Sequence, residues 1–268
     1  MSIEVKEEFG KIMEGYRTNS KREPVRTIIY GAFGTGKTTC AVTGRPPILV
    51  HSFDPGGTKS VGSSDLIDNN LLALDRRYEN EDPSNPTAYS KWGDEMNRLR
   101  RGGLFDKIGT FVLDSFTKYS EYAMNKVLMS SKTDFQGVAQ LQDYNRLIAT
   151  VKRDISVICS LPCDVVMTAH IDTDKDEITG RIETEMLAVG KLKRYVPLMF
   201  DEMYVSQVKN TSGGGKFELL TRSNGICKAR TRIGSGKFDM FEEPNLMKLY
   251  DKAGLNASGV NNNTKGGE

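Results

Sequence analysis

Soft ligands and reactive side chains are scarce in this chain. Its 268 residues include four cysteines, two histidines and one tryptophan. Cys40, Cys159, Cys163 and Cys227 are too few and too scattered for a disulfide framework. Cys159 and Cys163 are spaced C-x3-C with no second pair, and His51 and His170 add only two more donors, so a structural zinc site is not expected. No run approaches the roughly 18 apolar residues of a membrane span, so no membrane role is expected. The opening residues, MSIEVKEEFGKIMEGYR, are charged and amphipathic and lack the apolar stretch of a secretory signal, so a cytoplasmic protein is expected. An excess of one charge is missing too: 37 basic against 35 acidic side chains leave +2, and any nucleic-acid surface must therefore be local.

What is present is core material: 38% hydrophobic residues against 27% charged is enough to bury a globular interior. Apolar positions at Ile3, Val5, Phe9, Ile12, Met13 and Tyr16 predict an amphipathic N-terminal helix, joined by a polar connector ending at Pro24. Short β-branched or apolar runs then alternate with helical stretches. Strands are expected at 25–30, 48–53, 71–74, 110–113 and 165–168, and helices at 37–43, 89–101, 116–130 and 141–160. From 171 to 240 the pattern changes to short alternating runs around Gly213-Gly214-Gly215, the grammar of hairpins. A helix over 244–253 closes the chain. The expected organisation is an N-terminal helix and connector over 1–24, one domain over 25–254, and an Asn/Gly-rich disordered tail over 255–268. The implied fold class is α/β: a mostly parallel sheet with helices on both faces, extended by antiparallel hairpin strands.

Gly31-Ala32-Phe33-Gly34-Thr35-Gly36-Lys37-Thr38 fits G-x-x-x-x-G-K-[ST] in full, between a β-branched strand and a helix. That context suits a backbone wrapped around a phosphate chain, with the helix N-terminus aimed at the anion. Lys37, as an exposed phosphate ligand, is expected to reach the β- and γ-phosphates and Thr38 to offer its hydroxyl to Mg2+. Asp114 ends the strand Thr110-Phe111-Val112-Leu113, where ligands of open α/β sheets gather, and suits a Mg2+ role. Asp54 ends the second strand and is a candidate to orient an attacking water; as the residue before Pro55-Gly56-Gly57 it is equally suited to form a turn. His170 ends the fourth strand, either as a sensor of the γ-phosphate or as a structural residue.

Together these residues resemble the RecA-type core of P-loop ATPases and, more narrowly, phage-encoded RecA-like single-strand annealing proteins. The resemblance spans about residues 25 to 252. It rests on G-A-F-G-T-G-K-T-T at 31–39 (which adds Thr39 to the nucleotide site), F-D-P-G-G at 53–57, V-L-D-S at 112–115 and T-A-H at 168–170. Gly190-Lys191 before a helix, Phe200-Asp201 opening a strand and Lys228-Ala229-Arg230 complete it. It implies a RecA-like P-loop NTPase core, ATP with Mg2+, single-stranded DNA, a homo-oligomeric ring or filament, and a single-strand-binding protein as a further partner. Asp54 stands where RecA-type ATPases usually carry Glu, and His170 where RecA itself has Gln. Lys228 and Arg230, read as K-x-R on a late strand, would share one face and by the resemblance reach a neighbouring subunit's γ-phosphate; the alternative is a solvated basic face.

For DNA contact, the loops over 130–140 and 172–190 are the family's positions. The second is acidic, with Asp172, Asp174, Asp176, Glu177, Glu183 and Glu185, which opposes phosphate binding. Basic residues cluster instead at Lys191, Lys193 and Arg194 and from Lys216 to Lys237, and Phe135 offers a stacking platform. Three other readings remain open: a ring-helicase-like DNA motor, a small-molecule or nucleotide kinase using Arg181 and Arg194, and a non-hydrolysing nucleotide-gated binding protein.

Overall fold

The computed structural model describes residues 23–255 apart from 83, 131–138, 176–179 and 181, together with 6, 7, 9, 10 and 13. These five are helical and exposed. The rest of the expected N-terminal helix lies outside the described residues, as do Phe135, Arg181 and the tail over 256–268.

Eight strands form the main sheet: β1 (Arg26–Tyr30), β2 (Ile48–Ser52), β3 (Leu72–Asp75), β4 (Thr110–Asp114), β5 (Asp164–Ala169), β8 (Glu202–Thr211), β9 (Gly214–Leu220) and β10 (Phe241–Glu242). Their order across the sheet is β10-β9-β8-β1-β5-β4-β2-β3. From β3 to β8 all neighbours are parallel, while β9 and β10 add antiparallel pairs. This is the expected mostly parallel α/β arrangement with antiparallel strands added. The strand entering the phosphate loop is central, flanked by β5 and β8, and antiparallel strands close one edge.

The continuous apolar runs of the central strands follow from burial on both faces. Ile28, Tyr30, Phe111, Leu113, Val165 and Met167 point into one core, under α3 (Ala88–Arg101), α4 (Phe116–Ser130) and α5 (Leu141–Cys159). Their neighbours Ile29, Val112 and Val166 point into the other, with α1 (Lys37–Ala41) and α7 (Leu246–Ala253). A period of two on the strand thus serves two layers at once. Two short helices, α2 (Asp65–Asp68) and α6 (Leu192–Leu198), complete the set. Among the described residues no helix is long and apolar enough to cross a membrane.

Two expectations change. The pair β6 (Ile171–Lys175) and β7 (Ile182–Met186) forms its own two-stranded sheet rather than extending the main one. Residues 228–230 are not a strand. Isolated bridges at Thr184–Cys227 and Met203–Arg230 hold this segment between the β6–β7 hairpin and β8, so no ladder makes alternate residues share a face.

Candidate active site

β1 delivers the chain into the phosphate loop at the carboxyl edge of the sheet. Gly34 and Gly36 have φ of 74° and 82°, a left-handed backbone that a side chain would strain. Gly31 serves by proximity: a Cβ there would sit 2.3 Å from the Ser206 carbonyl oxygen. β8 therefore backs the loop directly, and the Ser206 hydroxyl donates to the Thr35 carbonyl at 2.6 Å.

Lys37 differs from its expected exposure. It is 8% exposed, folded back so that its ammonium donates to the carbonyls of Gly31 (3.1 Å) and Ala32 (2.7 Å). Burial pushes its pKa down, against the pull of Asp114 and Asp54. The Thr38 hydroxyl donates to Asp114 Oδ2 at 2.8 Å, and Thr168 donates to Oδ1. Burial raises the Asp114 carboxyl above the usual range, with these two hydroxyls acting against it. A threonine hydroxyl and a carboxylate in contact at the head of the loop make a hard-oxygen donor set that fits Mg2+.

Asp54 and His170 arrive from β2 and β5. The Ser115 hydroxyl donates to Asp54 Oδ1 at 3.0 Å, and His170 Nε2 lies 3.4 Å from Asp54 Oδ2. The His170 backbone N–H donates to Thr117 Oγ1 at 3.0 Å. Phe33, Gly34, Gly36, Lys37, Thr38, Thr39, Asp54, Asp114 and His170 all line one cavity of about 400 Å³. Gly31, Ala32 and Thr35 shape its loop from behind.

Lys228 and Arg230 do not line this cavity. The Lys228 ammonium pairs with Glu183 (3.0 Å) and Glu185 (2.9 Å) of the hairpin. The Arg230 guanidinium donates to the carbonyls of Pro197 (2.6 Å) and Phe200 (2.8 Å) at the end of α6. With no strand to align them, the two side chains serve different neighbours.

Several contributors carried no assigned role in the sequence. Thr168 and Ser115 lie inside the T-A-H and V-L-D-S stretches, so a hydroxyl within two residues of each key residue was the available signal. Phe217 of β9, packed 3.2 Å from where a Cβ of Gly36 would be, had none.

No curated protein sequence is significantly similar to this chain. Among solved structures, a KaiC-like protein of the hyperthermophilic archaeon Pyrococcus horikoshii is similar over 78% of this chain and 82% of its own, at 13% identity and a TM-score of 0.39. At sequence level, a family model described as an AAA domain matches residues 23–233, from the approach to β1 to just beyond Arg230. That match takes in the phosphate loop, Asp54, Asp114 and His170, so the chain belongs to the AAA domain family and carries a P-loop ATPase domain.

Proposed function

We propose that this protein hydrolyses ATP with Mg2+ and uses the cycle on single-stranded DNA, annealing or pairing strands in phage recombination. The observation that carries the hydrolytic part is the convergence of Lys37, Thr38, Asp54, Asp114 and His170 on one cavity. In this reading Lys37 exchanges its carbonyl partners for phosphate oxygens. Thr38 and Asp114 hold Mg2+, which neutralises charge on the β- and γ-phosphates. Asp54, held by Ser115, orients the attacking water, and His170 senses the γ-phosphate. The nucleoside extends past Thr39 into an adjoining cavity of about 480 Å³ that shares Thr39 and Ser60 with the first and includes Val42, Val61, Leu66 and Met247 in its wall.

The DNA part is supported by the ordered motif set and by one connection. His170 leads directly into β6, and its carbonyl accepts from the Leu187 N–H at 2.8 Å, so the site and the hairpin are joined at both ends. The hairpin's acidity is partly neutralised by Lys193, bonded to Asp172, and by Lys228. A homo-oligomer belongs to the same proposal, with Lys228 and Arg230 leaving their present partners to reach a neighbour's phosphate.

Phosphate release from ATP, measured with and without Mg2+ and single-stranded DNA, tests the reading. Mg2+-dependent release stimulated by DNA is expected. ADP formed without free phosphate, in the presence of a small-molecule acceptor that takes the phosphoryl group, would indicate a kinase, and nucleotide binding without turnover a nucleotide-gated binding protein.

A further inference from the structure

Glu79 sits 25 residues beyond Asp54 in the chain, past β3, and is 3% exposed. A carboxylate this deeply buried needs compensation, and Glu79 finds it in the turn that presents Asp54. Oε1 accepts from the Ser52 hydroxyl at 2.9 Å and the Thr58 hydroxyl at 3.3 Å. Oε2 accepts from the Gly56 backbone N–H at 3.1 Å. Ser52 and Thr58 are themselves 0% and 1% exposed, so these bonds are not shared with solvent. From the outer side the Arg76 guanidinium closes a two-bond fork on Glu79, 3.0 Å at each contact. Burial pushes the Glu79 carboxyl up, but Arg76, Gly56 and Ser52 outweigh it and hold the group below its ordinary value, ionised at neutral pH.

The three inner donors bracket Asp54: one lies two residues before it, one two residues after and one four residues after. No hydrogen bond joins Asp54 to the Glu79 side chain. The Asp54 carboxylate points the other way, to Ser115 and His170, while its carbonyl accepts from the Gly57 N–H at 2.9 Å within the same turn.

We propose that Glu79 is a positioning residue for Asp54, tying the backbone on both sides of it into one turn and so setting where the Asp54 carboxylate stands relative to the phosphate loop. The inference rests on the reading of Asp54 as the group that orients the attacking water. Such a role needs rigidity, because a misplacement of about 1 Å in a catalytic group costs about a hundredfold in rate. Glu79 supplies it from outside the cavity lined by the phosphate loop and Asp54.

The test uses the full chain as Glu79→Gln, Asp54→Asn and the double variant. Glutamine keeps the shape but cannot accept from Arg76, Gly56, Ser52 and Thr58 together. For Glu79→Gln, kcat is expected to fall about tenfold to a hundredfold with KM for ATP little changed. The double variant should be no slower than Asp54→Asn alone, since Glu79 acts through Asp54. Multiplied losses in the double variant, or an unchanged kcat in Glu79→Gln, overturn the proposal. Amide hydrogen exchange over residues 53–61 should quicken in Glu79→Gln; unchanged exchange overturns the clamp itself. That second readout needs no activity. A wild type that binds ATP but releases no phosphate would sink the hydrolytic reading and the positioning role with it, while exchange still reports on the clamp. If Glu79→Gln fails to fold, Ser52→Ala removes one inner bond and is expected to show the same changes on a smaller scale.

Discussion

His170 Nε2 stands 3.4 Å from Asp54 Oδ2, although the two residues follow strands separated in the sheet by β4. The carboxylate is thus held at one oxygen by Ser115 and faced at the other by an imidazole. A group that orients water gains from this, because fixed partners cost no reorganisation during reaction.

Replacing Lys37 with Ala is expected to abolish phosphate release and weaken nucleotide binding strongly, with the melting temperature kept or raised. The ammonium is buried against two carbonyls at a desolvation cost, so the fold loses little when it goes. Fluorescent-nucleotide titration beside a thermal melt checks this. Wild-type turnover in a folded Lys37→Ala protein would remove the loop from the chemistry.

Asp114→Asn separates function from stability. Burial holds this carboxyl above its usual range, so removing the charge relieves a penalty. The expected outcome is an equal or higher melting temperature, turnover lower by about a hundredfold or more, and a lost Mg2+ response. A Mg2+ titration identical to wild type would take Asp114 out of the metal site.

Arg230 distinguishes assembly from local structure. Its guanidinium holds two carbonyls at the end of α6, and their loss is expected to cost Arg230→Ala about 1–3 kcal/mol. If it also serves a neighbour, mixing Arg230→Ala with Lys37→Ala should restore part of the turnover, since mixed interfaces then join an intact loop to an intact arginine. A mixture no faster than the two variants alone, with a wild-type rate independent of protein concentration, confines Arg230 to capping α6.

His51 gives the fold an acid limit. It is fully buried in β2, its ring 5.0 Å from Phe111 and 5.3 Å from Tyr78. Burial lowers its pKa from 6.5 to about 4, despite the nearby Asp75. The unfolded chain therefore binds the proton first, and the stability from a neutral His51 is complete above pH 6.5 and lost as pH falls towards 4. The loss is up to about 3 kcal/mol, because each tenfold difference in proton affinity between the folded and unfolded chain is worth about 1.4 kcal/mol. Urea denaturation from pH 7 to pH 4 should show this slope, and His51→Phe should flatten it. An equal slope in both proteins would assign the acid sensitivity to carboxylates.

Much of the site was legible along the chain. The phosphate loop is eight consecutive residues whose spacing dictates its backbone path, and the strand ends at Asp54, Asp114 and His170 follow from apolar runs stopping at a polar residue. Those signals are local, and local chemistry determines them: glycine permits the left-handed turns of Gly34 and Gly36, and continuous apolar runs fit only strands covered on both faces. Other features required the chain to cross itself. Glu79 reaches the Asp54 turn only because β3 lies beside β2, and Thr168 reaches Asp114 only because β5 pairs with β4. Lys228-Ala229-Arg230 resembled a strand, yet single bridges to the hairpin and to β8 sent its two cations to different partners. Spacing in sequence determined which residues stand at the sheet's carboxyl edge. Which of them touch was decided by strand order and by the demand that each buried charge find a donor or a counter-charge, and both arise only when distant segments pack.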